Sequence, residues 1–308
     1  MNFMNEMSYL CRPKLKSYMS NEVRMGGFNI LPSVVKNLLI INVLFFLAKI
    51  VGQKFGLDLD AWLGLHFFTA SAYHPWQLVT YMFMHGDFGH LFFNMFALWM
   101  FGAAVENYWG GKRFLFYYFI TGIGAALIHY AVLAFTLVPE MAVINQYLDA
   151  PSVENLMNIA QNHRFHVDPY AGDFYAQFLA FNETFHQIQL QPNNIDLLNQ
   201  CTEFLTEYKE YYLNAHVIIG ASGAVFGVLL AFGMLFPNSQ IYFFFLIPIK
   251  AKWFVIFYGA LELFYGITGT QEGVAHFAHL GGMLFGIILI LLWRKQDRRR
   301  QFNQWDEY

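Results

Sequence analysis

The sequence is poor in charged residues and contains almost no cysteine. Charged residues occupy 13% of its 308 positions, whereas a soluble domain averages roughly 25%. The net charge is −3 and no basic stripe is present, which argues against a nucleic-acid partner. The two cysteines, Cys11 and Cys201, offer neither a disulfide framework nor a CxxC metal site.

Apolar residues are abundant instead. They make up 57% of the chain, with 35 Phe, and the mean hydropathy is +0.37. A bilayer core about 30 Å thick needs roughly 20 apolar helical residues to cross it. Six segments meet or approach this requirement, and they lie at about 35–52, 88–108, 113–137, 216–236, 252–270 and 275–293. The sequence therefore predicts an integral membrane protein with six transmembrane helices.

The positions of Lys and Arg predict that both termini are cytoplasmic. With this orientation, 14 of the 18 basic residues lie on the inside, in agreement with the positive-inside rule. Residues 1–34 then form a cytoplasmic tail, and residues 294–308 form a second one that is basic and then acidic. Cys11 and Cys201 fall on opposite sides of the membrane and cannot pair. The even-numbered spans run from the outside to the inside.

A long polar segment, residues 138–215, separates spans 1–3 (residues 35–137) from spans 4–6 (residues 216–293). It contains ten acidic residues and ends in LLNQCTEFLTEYKEYYL, a pattern typical of an amphipathic helix. Because a plain loop of this length is uncommon, we expect a small, mostly helical insertion outside the membrane.

Polar side chains occur near the outer start of each even-numbered span. His90 and Asn94 lie in span 2 and share one helix face, because they are four residues apart. Ser222 lies in span 4, and His276 and His279 lie in span 6. Titratable groups inside a bilayer are costly and are functional candidates by default. Their similar depth on one side of the membrane predicts a common site.

Two glycine pairs predict close helix packing at this site. Gly223-x-x-x-Gly227 in span 4 and Gly282-x-x-x-Gly286 in span 6 have the spacing of seams along which membrane helices approach closely. Packing along them would bring Ser222 near a histidine of span 6. A serine hydroxyl is a weak nucleophile that needs such a base, and free N–H groups at a helix start can stabilise an oxyanion. No carboxylate has an obvious place beside the histidine, so we predict a Ser–His dyad.

Three motifs resemble those of the rhomboid family of intramembrane serine proteases. GASG, at Gly220–Gly223, resembles the family's G-x-S-G nucleophile motif. AHLGGMLFG, at Ala278–Gly286, resembles its A-H-x-x-G-x-x-x-G motif. HGDFGHLFFN, at His85–Asn94, resembles its H-x-x-x-N motif in the second helix. The connection between the third and fourth helices is longer here than is usual in the family.

The resemblance implies a role for each of these residues. Ser222 would be the nucleophile, and His279 would be its base. His90, Asn94 and Gly220 would stabilise the oxyanion.

The resemblance also implies the fold and the reaction. The fold would be an all-α, rhomboid-like bundle of six transmembrane helices, and Phe226 would pack on the catalytic imidazole. The reaction would hydrolyse a peptide bond in or beside a transmembrane segment of a protein substrate, without a cofactor or metal. Substrate would enter from the lipid bilayer near spans 2 and 5. The protein would lie in the inner membrane of a bacterium, with its active site towards the outer side.

Three other interpretations stay open from sequence alone. A rhomboid-like protein can bind membrane helices without cutting them, although loss of the serine or histidine would mark such a protein and both are present. Glu262 and His129 lie inside spans, where they could be proton-relay groups of a transporter or form buried hydrogen bonds. A zinc site could use four histidines, although no H-E-x-x-H pattern is present. These histidines are His85, His90, His276 and His279.

Overall fold

The computed structural model describes residues 28–243, 247–269 and 275–305, and most of these residues are helical. The helices are α1 (Ser33–Lys54), α2 (Leu59–Leu63), α3 (Gln77–Thr80), α4 (Phe88–Ala97), α5 (Ala103–Trp109), α6 (Gly111–Asp149), α7 (Val153–Asn162), α8 (Asp173–Leu190), α9 (Ile195–Ala215), α10 (Ser222–Leu235), α11 (Ala251–Thr268) and α12 (His276–Trp305). The strands are β1 (Leu65–His66), β2 (Val217–Ile218), β3 (Gln240–Phe243) and β4 (Ile247–Lys250), and they form the antiparallel pairs β1–β2 and β3–β4. Most of the predicted N-terminal tail, including Cys11, lies outside the described residues.

Within the described residues, four helices are long and apolar enough to cross a membrane. They are α1, the continuous helix Phe88–Trp109 formed by α4, a π-helical turn and α5, then α6, and residues His276–Asp297 of α12. The prediction of an all-α membrane bundle is confirmed. The predicted spans at 216–236 and 252–270 correspond to α10 and α11, which do not meet the same length and hydropathy requirement. Lys252 and Glu262 lower the hydropathy of α11.

Helix α10 is shorter than its predicted span because the residues before it are extended. Val217 and Ile218 pair with His66 and Leu65 in the β1–β2 ladder, so the helix begins only at Ser222 and has 14 residues. At 1.5 Å per residue it is about 21 Å long, less than the hydrocarbon thickness. Non-helical backbone at membrane depth is tolerated where protein surrounds it, and Gly220 and Ala221, just before the helix, are buried.

Small residues let α6 and α12 approach α10 closely. A Cβ atom at Gly282 of α12 would collide with the carbonyl oxygen of Gly223 in α10. A Cβ at Gly227 would instead lie 2.6 Å from Cβ of Thr121 in α6. Gly286 contacts α6 through the Tyr117 hydroxyl as well as α10. The predicted α10–α12 approach is present at Gly223 and Gly282, whereas Gly227 packs against α6, which the sequence had not indicated.

Residues 138–215 form a second helical body with its own hydrophobic core. Helix α6 runs without a break to Asp149, so the boundary predicted at residue 138 falls inside a helix. Helices α7, α8 and α9 follow it, and α9 contains the predicted amphipathic segment. Phe67 and Ala70, from the loop after β1, belong to the same buried cluster as the helices. The cluster includes Ile144, Tyr147, Leu156, Ile159, Phe181, Ile188, Leu205 and Tyr208.

Polar contacts join the helix ends that were predicted to be cytoplasmic. The carboxylate of Glu106 accepts hydrogen bonds from the backbone N–H groups of Val34 (3.0 Å) and Val35 (2.8 Å), and so caps the start of α1. Arg113, near the start of α6, lies 3.5 Å from the carboxylate of Asp297 in α12. The start of α6 therefore lies beside the far end of α12.

Candidate active site

Ser222 and His279 are in direct contact. The Oγ atom of Ser222, the first residue of α10, lies 2.8 Å from Nε2 of His279 in the first turn of α12. This distance is within hydrogen-bond reach for a nucleophile and its base. The Phe226 ring stacks on the His279 imidazole, with ring centroids 4.3 Å apart and planes inclined by 5°. The stacking restricts rotation of the imidazole.

The other nitrogen of His279 contacts a carboxylate that we did not place there from the sequence. Its Nδ1 lies 2.8 Å from Oε2 of Glu262 in α11. The same oxygen lies 2.7 Å from Nδ1 of His276. The expectation that no carboxylate lies beside the histidine is therefore wrong, because Glu262 is buried next to His279. The available sequence signal was an acidic residue within an apolar span, but the pattern did not show which helix Glu262 faces.

The loop before Ser222 is held in a conformation that favours glycine. Gly220 has a φ angle of +130°, in a region that residues with a side chain rarely adopt. Its N–H donates a hydrogen bond to the carbonyl of Tyr81 (2.9 Å), and the Tyr81 hydroxyl donates to the carbonyl of Gly122 in α6 (2.8 Å). The prediction that Gly220 donates to an oxyanion needs correction, because its N–H is already engaged. Free N–H groups begin instead at Ser222, in the first turn of α10.

His90 and Asn94 lie on α4 beside this loop. Asp87 caps the helix by accepting a hydrogen bond from the N–H of His90 (2.9 Å). A Cβ atom at Gly220 would lie 2.8 Å from Nε2 of His90, so the His90 ring borders the loop. The Asn94 side chain donates one hydrogen bond to the carbonyl of His90 (2.9 Å). An amide group has a second donor, which is available for another acceptor.

A buried lysine fixes the segment that leads into α4. The Nζ atom of Lys49 donates to the carbonyls of His85 (2.9 Å) and Gly86 (3.1 Å). It also forms an ion pair of 2.5 Å with Asp60 of α2. Since the Lys49 side chain is only 7% exposed, these contacts replace its hydration. Helix α1 thereby holds the loop that precedes His90.

The candidate site residues line one apolar cleft of about 1180 Å³. Ser222, His279, His90, Asn94 and Gly220 all border it. Most of its remaining wall is apolar and comes from the helix Phe88–Trp109, from α10 and from α11. These residues include Phe93, Phe96, Met100, Phe226, Leu229, Phe254 and Tyr258. The cleft therefore combines a hydroxyl–imidazole pair with an apolar surface.

The four histidines considered for zinc do not form one cluster. His85 lies in the loop before α4, with its ring centroid 5.0 Å from that of His90. His276 and His279 are instead grouped with Glu262. Among the described residues, Glu262, His276 and His279 are the one group of three or more side chains that could supply ligand atoms to a metal ion. His129, the other residue considered for a proton relay, borders the cleft.

Comparison with known proteins identifies the family. The sequence model of the rhomboid domain matches residues 72–142 and 197–296, more than half of the chain. The chain belongs to the rhomboid family. The match includes each of the three motif regions identified from the sequence. It leaves residues 143–196 unmatched, so α9, which we assigned to the insertion, lies within the part that matches the family.

Two curated relatives are similar over shorter stretches. Rhomboid protease GluP from Bacillus subtilis (strain 168) is 42% identical over 52 residues, which are 17% of this chain and 10% of the relative. Rhomboid-like protein 11, chloroplastic, from Arabidopsis thaliana is 34% identical over 87 residues, which are 25% of this chain and 31% of the relative. The matches therefore span less than a third of each relative's length.

Proposed function

We propose that this rhomboid-family protein is an intramembrane serine endopeptidase with Ser222 as nucleophile and His279 as base. The observation that carries the proposal is the 2.8 Å contact between Ser222 Oγ and His279 Nε2 at the wall of an apolar cleft. A non-catalytic binder of membrane helices would need the cleft but not this pair. A transporter would need a polar path, whereas the cleft wall is mostly apolar.

The reaction follows from the chemistry of the pair. Ser222 Oγ attacks the carbonyl carbon of the scissile peptide, and its proton passes to His279 Nε2. The protonated imidazole then gives this proton to the amine nitrogen, the C–N bond breaks, and an acyl ester remains on Ser222. A water molecule attacks the ester while His279 accepts one of its protons. That proton returns to Ser222 Oγ as the carboxylic acid product leaves.

The oxyanion would be stabilised by side chains of α4 and by the start of α10. His90 and the second N–H of Asn94 border the cleft that contains Ser222, and the backbone N–H of Ser222 lies at a helix start. Such preorganised donors are each worth about 100- to 1000-fold in rate. In this proposal Gly220 does not donate to the oxyanion, because its N–H is bonded to the carbonyl of Tyr81. Its unusual backbone conformation instead shapes the loop that leads to Ser222.

The substrate would be a transmembrane segment of another protein that enters the cleft from the lipid. The cleft wall between the helix Phe88–Trp109 and α11 is rich in aromatic side chains, which favours an apolar segment. The excess of Lys and Arg at the predicted inner ends supports cytoplasmic termini. With cytoplasmic termini, the site would lie towards the outer side of the membrane.

The test uses purified protein in lipid vesicles and a reporter that carries one transmembrane segment. We expect cleavage by the unaltered chain and none by Ser222→Ala or His279→Ala, with all three proteins inserted to the same extent. A fluorophosphonate should label the unaltered chain at Ser222. Cleavage by Ser222→Ala at the normal rate would reject the assignment. Reporter binding without cleavage or labelling in the unaltered chain would favour the non-catalytic binder.

A further inference from the structure

Glu262 occupies the position from which a carboxylate can orient the catalytic base. We propose that Glu262 is a positioning residue of the reaction, acting through His279, and that His276 holds Glu262 in place. This inference rests on the proposed function. It extends the predicted Ser222–His279 dyad to a hydrogen-bonded triad with Glu262, and His276 contacts the carboxylate of that third residue.

The hydrogen bonds determine the tautomer of His279. An ionised carboxylate can only accept hydrogen bonds, so the 2.8 Å contact with Glu262 Oε2 requires a proton on Nδ1 of His279. The neutral imidazole then presents an unprotonated Nε2 to Ser222 Oγ, 2.8 Å away. This is the tautomer that can accept the serine proton. The opposite tautomer would place a proton where the base must be free.

The carboxylate also stabilises the charge that forms during the reaction. When His279 Nε2 accepts the proton from Ser222, the imidazole becomes positively charged. Glu262 is 9% exposed and His279 is 8% exposed, so water screens their interaction weakly. A negative charge beside Nδ1 therefore favours the protonated imidazole that appears in the transition state.

His276 supports Glu262 without cancelling its charge. Its Nδ1 lies 2.7 Å from the carboxylate oxygen that also contacts His279. Its Nε2 is buried and has no hydrogen-bond partner among the described residues. Protonation of Nε2 would bury an unsatisfied donor, which is costly, so His276 fits this position as a neutral Nδ1–H donor. Two donors on one oxygen restrict rotation of the Glu262 side chain.

Neither Glu262 nor His276 borders the cleft that would bind substrate. A change at Glu262 should therefore lower kcat and leave KM close to normal. We expect Glu262→Gln, which keeps the shape but removes the charge, to lower kcat by up to roughly 10,000-fold, the loss seen when the carboxylate charge of a serine-protease triad is removed. Glu262→Asp should recover at least tenfold of this loss, because it restores the charge.

The matched control is Glu106→Gln. Glu106 is also a buried carboxylate, 4% exposed, but it accepts hydrogen bonds from two backbone N–H groups and caps α1 at the other end of the bundle. Glu106→Gln should lower the thermal midpoint in vesicles with little change in kcat. Glu262→Gln should lower kcat with little change in the thermal midpoint. Equal losses of kcat in the two variants, or a kcat loss in Glu262→Gln that follows its thermal midpoint, would reject the positioning role.

The same measurements distinguish the two proposals. Inactive Ser222→Ala together with a normal kcat in Glu262→Gln would reject the positioning role alone. Normal activity of Ser222→Ala would reject the proposed function and the positioning role with it. EDTA should leave the rate of the unaltered protein unchanged. Loss of activity on chelation, with recovery on adding Zn²⁺, would point to a metal centre, for which Glu262, His276 and His279 are the candidate ligands, and would also reject the positioning role.

Discussion

Gly282 of α12 packs directly on the carbonyl group of Gly223 in α10. Ser222 is the neighbour of Gly223 in sequence, and His279 precedes Gly282 by one helical turn. A close backbone approach of the two helices is therefore next to the Ser222–His279 contact. Helix spacing at this point controls the distance between the hydroxyl and the imidazole.

We predict that Gly282→Ala lowers cleavage at least tenfold, since even a 1 Å misplacement of reacting groups can reduce a rate about 100-fold. The added Cβ would collide with the Gly223 carbonyl and push the helices apart. Gly259→Ala is the control, because its Cβ would lie 3.3 Å from the flexible end of Met283. Reporter cleavage and fluorophosphonate labelling measure the effect. Equal activity in the two variants would contradict the prediction.

Asn94→Ala should reduce kcat by about 100- to 1000-fold with little effect on KM, because it removes one of the proposed oxyanion donors. Asn42→Ala provides a matched control. Asn42 is buried and donates to the carbonyl of Leu38 (2.8 Å), four residues earlier, as Asn94 does to His90. Both variants lose the same type of intrahelical bond, but Asn42 does not border the cleft. If both lower kcat equally, Asn94 acts through helix α4 and not through the oxyanion.

Lys49→Met should destabilise the folded protein by about 1–3 kcal/mol, the cost of leaving buried polar groups without partners. The carbonyls of His85 and Gly86 and the carboxylate of Asp60 would all lose this partner. Because that loop leads to His90, cleavage should fall as well. Lys54→Met alters an exposed lysine of the same helix and should change neither property. Thermal denaturation in vesicles provides the measurement.

The helical body of residues 138–215 should become less stable as the pH falls below about 6.5, the pKa of an exposed histidine. His163 in this body is 4% exposed, and burial lowers its pKa, although Glu140 opposes the shift and His166 adds to it. Its Nε2 contacts the Tyr208 hydroxyl (2.7 Å). The unfolded histidine then binds a proton at a pH where the folded one does not, so acid favours unfolding.

Cys201 can report this opening. The thiol is buried, and burial raises its pKa to about 11, so it reacts slowly while the body stays folded. In a Cys11→Ser background, we would measure the rate of Cys201 labelling at pH 5 and at pH 7.5. We expect the ratio of the two rates to be larger than the ratio for an exposed thiol over the same change in pH. His163→Gln should reduce this acid effect. An unchanged effect in that variant would assign the acid sensitivity to another group.

Local patterns predicted the parts of the site that lie within one helix. The four-residue spacing of His90 and Asn94 places both on one face of α4. Ser222 is the first residue of α10, so free backbone N–H groups lie beside its hydroxyl. Glycine spacing predicted that α10 and α12 approach each other. These features depend on helix geometry and side-chain size, which a sequence states directly.

Contacts between distant segments were not accessible in the same way. The carboxylate of Glu262 reaches His279 only because α11 has a particular rotation about its axis. The start of α10 depends on the pairing of Ile218 with Leu65, which are 153 positions apart. The bond from Gly220 to Tyr81 likewise joins the loop before α10 to a 3₁₀ turn at Tyr81–Phe83. No residue pattern within a single segment encodes these partners.

The order of the helices along the chain affects when the chemistry can begin. His279 follows Ser222 by 57 positions and is carried by α12, which packs on α6, α10 and α11. During synthesis, the segment with Ser222 leaves the ribosome and enters the membrane before α12 does. Ser222 has no imidazole to accept its proton until α12 arrives. Under the proposed function, a nascent chain that still lacks α12 would therefore be unable to cut neighbouring proteins.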